Sequence, residues 1–206
     1  GGMSSGTAAN DIVVFVGTYH GDVIALRQTD GSLIWKAQAS SEILAPVATA
    51  HGITLVKTID GYLTAFSAAD GHIVWRYQEM APGLILRGSS APQITQDAAL
   101  VGFENGNLVK LNLEKGHLLW QKTIAQPEGI FAIQRMVDID ADPIVVGRHV
   151  FAATYQGRIT ALDLASGREL WTHDISSYSG IASDGNRVYV SDAQSHIWAF
   201  NAENGS

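Results

Sequence analysis

The residues best equipped for chemistry are an acidic run, Asp138-Ile-Asp140-Ala-Asp142, seven histidines and five tryptophans. Carboxylates at alternate positions open a calcium loop of the EF-hand type, which then needs a turning Gly at its sixth place and a bidentate Glu at its twelfth. Pro143 and His149 stand there instead. The run therefore reads as an acidic connector, solvated or offered to a partner. His20, His51, His72, His117, His149, His173 and His196 never pair at metal-ligand spacing, and most fall in turns or at strand starts, so they read as exposed turn residues. Cysteine is absent, which removes disulfides, thiol nucleophiles, Cys-ligated zinc and c-type haem attachment. No Gly-x-Ser-x-Gly elbow, Walker loop or dinucleotide fingerprint occurs. Asn204-Gly-Ser206 matches a glycosylation sequon but lies in a hairpin turn. No catalytic residue, metal or cofactor is expected.

The net charge of −7 opposes binding to nucleic acid or to an anionic membrane surface. The longest uninterrupted apolar run, Ile12–Val16, is far shorter than the ~20 residues of a membrane helix. No secretory-signal pattern is present.

The elements that must position any site come from a repeat. Gly21 is followed ten residues later by Gly31 and then by Trp35; the pattern returns as Gly61, Gly71, Trp75, as Gly106, Gly116, Trp120, and as Gly157, Gly167, Trp171. A fifth copy begins at Ser195 and reaches Gly205. The starts lie 40, 45, 51 and 38 residues apart, the period of one supersecondary unit that buries its faces only against its neighbours. Within a copy, apolar and polar residues alternate, the signature of a half-buried strand: in Tyr62–Phe66, Leu63 and Ala65 oppose Tyr62, Thr64 and Phe66. The second Gly of each pair follows a polar or turn-forming residue and predicts a tight hairpin with positive φ. A further strand ends shortly before each first Gly, and Pro46, Pro92 and Pro143 open another. The unit is a four-stranded antiparallel meander, with three strands expected in the first and last copies.

Such meanders at this period read as β-propeller blades, with Trp on the outermost strand wedged against the next blade's turn and its N–H reaching a carbonyl. The register Ala161-Leu-Asp-Leu-Ala-Ser-Gly-Arg-Glu-Leu-Trp171 resembles the tryptophan-docking repeat of the quinoprotein, PQQ-like propellers. The expected fold is all-β: four to five PQQ-like blades forming an arc of an eight-bladed ring. Blades are expected near 11–38, 46–77, 91–122, 142–173 and 179–205, after a cloning scar or disordered linker at 1–10. An open arc leaves strand edges bare, so the chain is expected to self-associate or to be modestly stable alone. The quinoprotein resemblance also implies an alternative, a fragment of a PQQ-dependent dehydrogenase; a propeller sensor module is another. Trp198 is the one tryptophan outside the docking position, and its alternation is equally satisfied by packing between blades.

Function on a repeat scaffold tends to live where the period breaks. Connectors from each Trp to the following Pro measure 11, 17 and 23 residues: Trp35 to Pro46, Trp75 to Pro92, Trp120 to Pro143. The two long ones emerge on one face of the disc from successive blades. They carry Leu84, Ile85, Leu86, Ile130, Phe131, Ile133 and Met136 among Arg87, Arg135, Asp138 and Asp140. Half of that apolar set can tuck beneath the connectors; the remainder suits a protein-binding patch.

The stretches Leu84–Pro92, Leu100–Asn107 and Gln134–Pro143 resemble the propeller lipoproteins of the outer-membrane β-barrel assembly machine of Gram-negative bacteria. The resemblance runs from about Asp11 to Asn204. It implies a non-catalytic scaffold subunit on the periplasmic face of the outer membrane, lipid-anchored in the whole protein, that aids assembly and insertion of β-barrel proteins. It further implies that Leu84, Leu86, Arg87, Asp138 and Asp140 engage the periplasmic POTRA domains of the barrel-inserting subunit BamA, and that unfolded barrel proteins are handled as clients. Whether Arg87 pairs with Asp138 or Asp140, or with a partner carboxylate, stays open.

Overall fold

A computed structural model describes residues 8–9, 12–43, 45–79, 90–124, 139, 142–154, 157–175, 178–192 and 194–206. Among them are nineteen strands and no helix. The first sheet holds β1 (Ala8–Ala9), β2 (Val13–Gly17), β3 (Asp22–Arg27) and β4 (Leu33–Gln38). The second holds β5 (Ala48–Ala50), β6 (Ile53–Lys57), β7 (Tyr62–Ser67) and β8 (Ile73–Gln78). The third holds β9 (Gln93–Ile94), β10 (Ala98–Gly102), β11 (Asn107–Asn112) and β12 (Leu118–Thr123). The fourth holds β13 (Ile144–Val146), β14 (His149–Thr154), β15 (Arg158–Asp163) and β16 (Glu169–Asp174). The fifth has three strands: β17 (Tyr178–Ser183), β18 (Arg187–Asp192) and β19 (Ile197–Asn201). Every sheet keeps its strands in chain order, the antiparallel meander of a propeller blade.

The chain divides into two compact units, Gly1–Ala81 with Ala91–Leu100 and Leu111–Leu119, and Pro82–Ser90 with Val101–Lys110 and Trp120–Ser206. In the first unit, Phe15, Val23, Ala25 and Trp35 of one sheet pack with Val56 and Phe66 of the next. In the second, Phe151, Ala153, Ile159 and Ala161 pack with Val188, Val190 and Phe200.

The tryptophans do what the repeat requires. Trp35 Nε1 donates to Ala68 O at 3.0 Å, Trp75 to Leu113 O at 2.7 Å, Trp120 to Leu164 O at 3.1 Å and Trp171 to Ala202 O at 3.3 Å. Each ring lies on the hairpin glycine of the following sheet. A Cβ on Gly116 would stand 2.6 Å from Trp75 Cδ2, and Gly116 has φ of +68°, so glycine is required there twice over. A β-bulge follows the Trp pairing in three copies, after Ala25↔Trp35, Ala65↔Trp75 and Ala161↔Trp171. In the fifth copy Ser195 adopts φ of +66°, the place that glycine fills in the other four.

Several expectations are corrected. The first sheet has four strands, because Ala8–Ala9 pairs with Phe15 and Val14; the boundary expected at residue 10 falls inside a sheet. The central strands of the second, third and fourth sheets are not half-buried but covered on both faces, Leu63, Thr64, Ala65 and Phe66 each being 0% exposed, while β3 and β18 keep the expected alternation. The second-Gly hairpins are four-residue loops, Gly31 N donating to Arg27 O and Arg27 N to Ser32 O. Trp198 lies on β19 of the last sheet and is 47% exposed. His173 is no turn residue: it lies on β16, stacks on Phe200 at 4.7 Å and bonds Gly205 O through Nε2 at 2.7 Å.

Candidate partner-binding site

Leu84, Leu86, Arg87, Asp138 and Asp140 lie outside the described residues, as do Ile85, Ile130, Phe131, Ile133, Arg135 and Met136. What is described is how the connectors leave and rejoin the sheets. The short connector after Trp35 is covered: Ile43 and Ala45 are fully buried, Ile43 bridges Thr58, and Ile59 N donates to Glu42 O at 3.0 Å. Ser40 Oγ adds bonds to Thr58 Oγ1 at 2.9 Å and Asp60 Oδ1 at 3.1 Å. Eleven residues suffice to cross from one sheet to the next, and Ala39, Ile43 and Ala45 among them are buried.

The first long connector leaves β8 through Tyr77, whose hydroxyl donates to Glu79 Oε2 at 2.9 Å. Burial, then that carboxylate, pushes the phenol up to about 12. The connector returns at Ser90, Ala91 and Pro92, all buried. The second leaves β12 through buried Ile124 and returns past Ile139, which is 0% exposed, to exposed Asp142 and buried Pro143. Ile139 and Ser90 meet on the same residue, Gly102 of β10. Sequence reasoning singled out the charged neighbours and missed these three. The available signal was an isoleucine between two aspartates and a strand glycine where three of the other four copies carry side chains.

The alternative chemistry can be placed as well. Asp192 is buried and accepts from Trp198 Nε1 at 3.0 Å, from His196 N at 2.8 Å and from Gln194 N at 2.9 Å, and its Oδ2 lies 3.0 Å from His196 Nδ1. The Trp198 N–H, more than any other contact, holds the Asp192 carboxyl well below the usual carboxylate range against the opposing effect of burial. Trp198 also stacks on Phe200, with ring centres 6.4 Å apart. Among the described residues, no group of three or more His, Asp or Glu is arranged to hold a metal ion. No helix among them is long and apolar enough to cross a membrane.

The family model described as "Outer membrane protein assembly factor BamB" matches residues 1–206. The chain is 37% identical over 203 residues to outer membrane protein assembly factor BamB of Yersinia pestis, covering 98% of this chain and 52% of that protein. Its fold is similar to the crystal structure of BamB from Moraxella catarrhalis, with a TM-score of 0.90 and 26% identity over 99% of this chain and 62% of that one. The quinohemoprotein alcohol dehydrogenase of Comamonas testosteroni, 16% identical over all of this chain and 42% of that one, shares the fold with a TM-score of 0.76. The chain spans about half the length of the curated relatives it matches. With a family match over its whole length and a propeller-blade fold that agrees with it, the chain belongs to the BamB family of outer membrane protein assembly factors.

Proposed function

We propose that the chain is part of a non-catalytic scaffold of the β-barrel assembly machinery, which docks the POTRA region of BamA through its two long connectors and so aids insertion of barrel proteins. Its place would be the periplasmic face of the outer membrane, held by a lipid anchor in the whole protein. The observation that carries this reading is the pair of long connectors rich in apolar and charged residues, whose described ends, Ser90 and Ile139, meet at Gly102.

Leu84 and Leu86 are two apart, and in an extended stretch they face one side and enter one groove while Arg87 faces the other. Burying each leucine is worth about 1.5–3 kcal/mol, and an apolar anchor beside an arginine is the composition of a binding hot spot. Asp138 and Asp140 flank the buried Ile139 in sequence. Against the dehydrogenase reading, the indole N–H of Trp198 is already committed to Asp192 and one ring face to Phe200.

The test is a capture experiment with the 206-residue chain. Immobilised chain should retain the barrel-assembly subunits from a solubilised envelope extract, and should show no saturable binding of pyrroloquinoline quinone with calcium. Quinone binding with dye-linked alcohol oxidation, or failure to retain BamA, overturns the proposal.

A further inference from the structure

We propose that Gly102 is a positioning residue for partner binding, the joint that holds the two long connectors against each other. This rests on the reading above that those connectors dock the partner. A Cβ on Gly102 would stand 2.7 Å from Cγ2 and 2.8 Å from Cβ of Ile139, and 2.8 Å from Oγ of Ser90. Real Cβ atoms do not approach so closely, so the space a side chain would need is already filled. Both neighbours are fully buried. Ser90 is the first described residue after 80–89, and Ile139 stands between 125–138 and 140–141. One side chain from each long connector therefore closes on a single glycine of β10.

Neither the backbone nor the blade requires glycine there. Gly102 is absent from the positive-φ glycines, so its conformation is open to any residue. The equivalent place, four residues before the opening turn residue of each copy, holds Gly17, Lys57, Ala153 and Ser191. Lys57 pairs with Leu63, Ala153 with Ile159 and Ser191 with Ile197, the same register in each sheet. Ala153 is 0% exposed, so a Cβ at this place fits within a complete blade. What differs at the third sheet is the pair of connector side chains. Among the described residues Ser90 Oγ has no hydrogen-bond partner, and contact with its buried neighbours holds it in place.

A joint of this kind fixes how the segments on either side of it are presented, and a displacement of about 1 Å at a positioning contact is enough to spoil binding geometry. Adding bulk at Gly102 pushes Ile139, Ser90 or both outward. Removing bulk at Ile139 frees the second connector from the first.

The chain has no cysteine, which gives a partner-independent test. Ser90→Cys with Ile139→Cys should form an intramolecular disulfide on mild oxidation in the otherwise native chain, and should lose it when Gly102→Val is added. Failure to crosslink in the native background overturns the joint, whatever the partner does. The second arm measures affinity for the isolated POTRA region of BamA. Gly102→Val should weaken binding at least tenfold, and adding it to Leu84→Ala with Leu86→Ala should cost little more, because both act on one presented surface. Ile139→Ala, which adds no bulk and serves if the valine variant does not fold, should give the same loss. Parent-like affinity for Gly102→Val and Ile139→Ala, with the leucine pair still impaired, overturns the joint and leaves the docking reading standing. Parent-like affinity for all of them overturns both. Fully additive losses assign Gly102 to a different surface and overturn the joint.

Discussion

Two glycines on the third sheet, Gly116 and Gly102, have opposite reasons for being glycine. Gly116 is fixed by architecture: its φ is +68°, Trp75 lies where a side chain would begin, and the same arrangement recurs at Gly71, Gly167 and Gly205. Gly102 has an ordinary backbone, and its equivalents are Lys57, Ala153 and Ser191, with glycine again only at Gly17. Its neighbours are Ser90 and Ile139, which belong to the two connectors that break the period. A glycine repeated with the fold reports how blades dock. A glycine that departs from most of the copies and meets residues from outside the repeat reports what this blade does in addition.

Breaking the repeated dock should produce the largest effects. Trp75→Ala removes a buried ring and leaves the Leu113 carbonyl without its 2.7 Å donor, and should cost about 3–5 kcal/mol in urea unfolding. Gly116→Ala should cost about 2–4 kcal/mol, combining the penalty of a left-handed L-residue with a 2.6 Å clash on the indole. If either variant unfolds at the parental midpoint, the tryptophan is not the element that joins these sheets.

The fifth copy sharpens the comparison, because there the repeat can be repaired. Ser195 pays the strain of φ +66° where the other copies use glycine. Ser195→Gly relieves about 1–2 kcal/mol of strain and loses about 0.5–1 kcal/mol to chain entropy. The expected net gain is about 0.5 kcal/mol, seen as a small rise in Tm. A fall in Tm would mean that the serine makes contacts worth more than its strain.

The smallest effect concerns acid. Asp184 accepts the backbone N–H groups of Arg187 and Asn186 and the Tyr189 hydroxyl, which lower its carboxyl from 3.8 to about 2. A lowered carboxylate contributes stability that is present above pH 4 and lost as pH falls towards 2. Asp184→Asn should therefore lower stability modestly at neutral pH, match the parent near pH 2 and so flatten the acid limb of the stability curve between those values. An unchanged acid limb would mean that these turn bonds do not discriminate between the charged and neutral carboxyl.

Most of the fold was legible because the dock is written in residue types that have few other uses, a Gly at fixed spacing before a Trp. β1 was not, since Ala8–Ala9 is two residues long and carries no alternation. Nor was the double burial of the central strands in the second, third and fourth sheets. Thr64 stands opposite Leu63 and Ala65 in an alternating pattern, yet it is 0% exposed, and Thr54 and Thr160 are at most 2% exposed. Thr160 bonds Thr172 at 3.1 Å and Thr54 bonds Thr49 at 3.3 Å, whereas Thr64 Oγ1 finds no hydrogen-bond partner among the described residues. At the candidate site, connector length and composition drew attention to Leu84, Leu86, Arg87, Asp138 and Asp140. The joint beneath was hidden, because a buried contact between a serine, an isoleucine and a glycine far apart in sequence has no local pattern.

The central claim is that the connectors, and not the repeated docks, carry the function. The most direct measurement takes two variants, Arg87→Ala and Leu84→Ala with Leu86→Ala, and records the Kd for the BamA POTRA region beside the melting midpoint. The account predicts at least a tenfold loss of affinity, about 1.4 kcal/mol, with a circular-dichroism spectrum and midpoint that barely move. Parental affinity in both variants, or loss of affinity only in step with loss of folding, would contradict it.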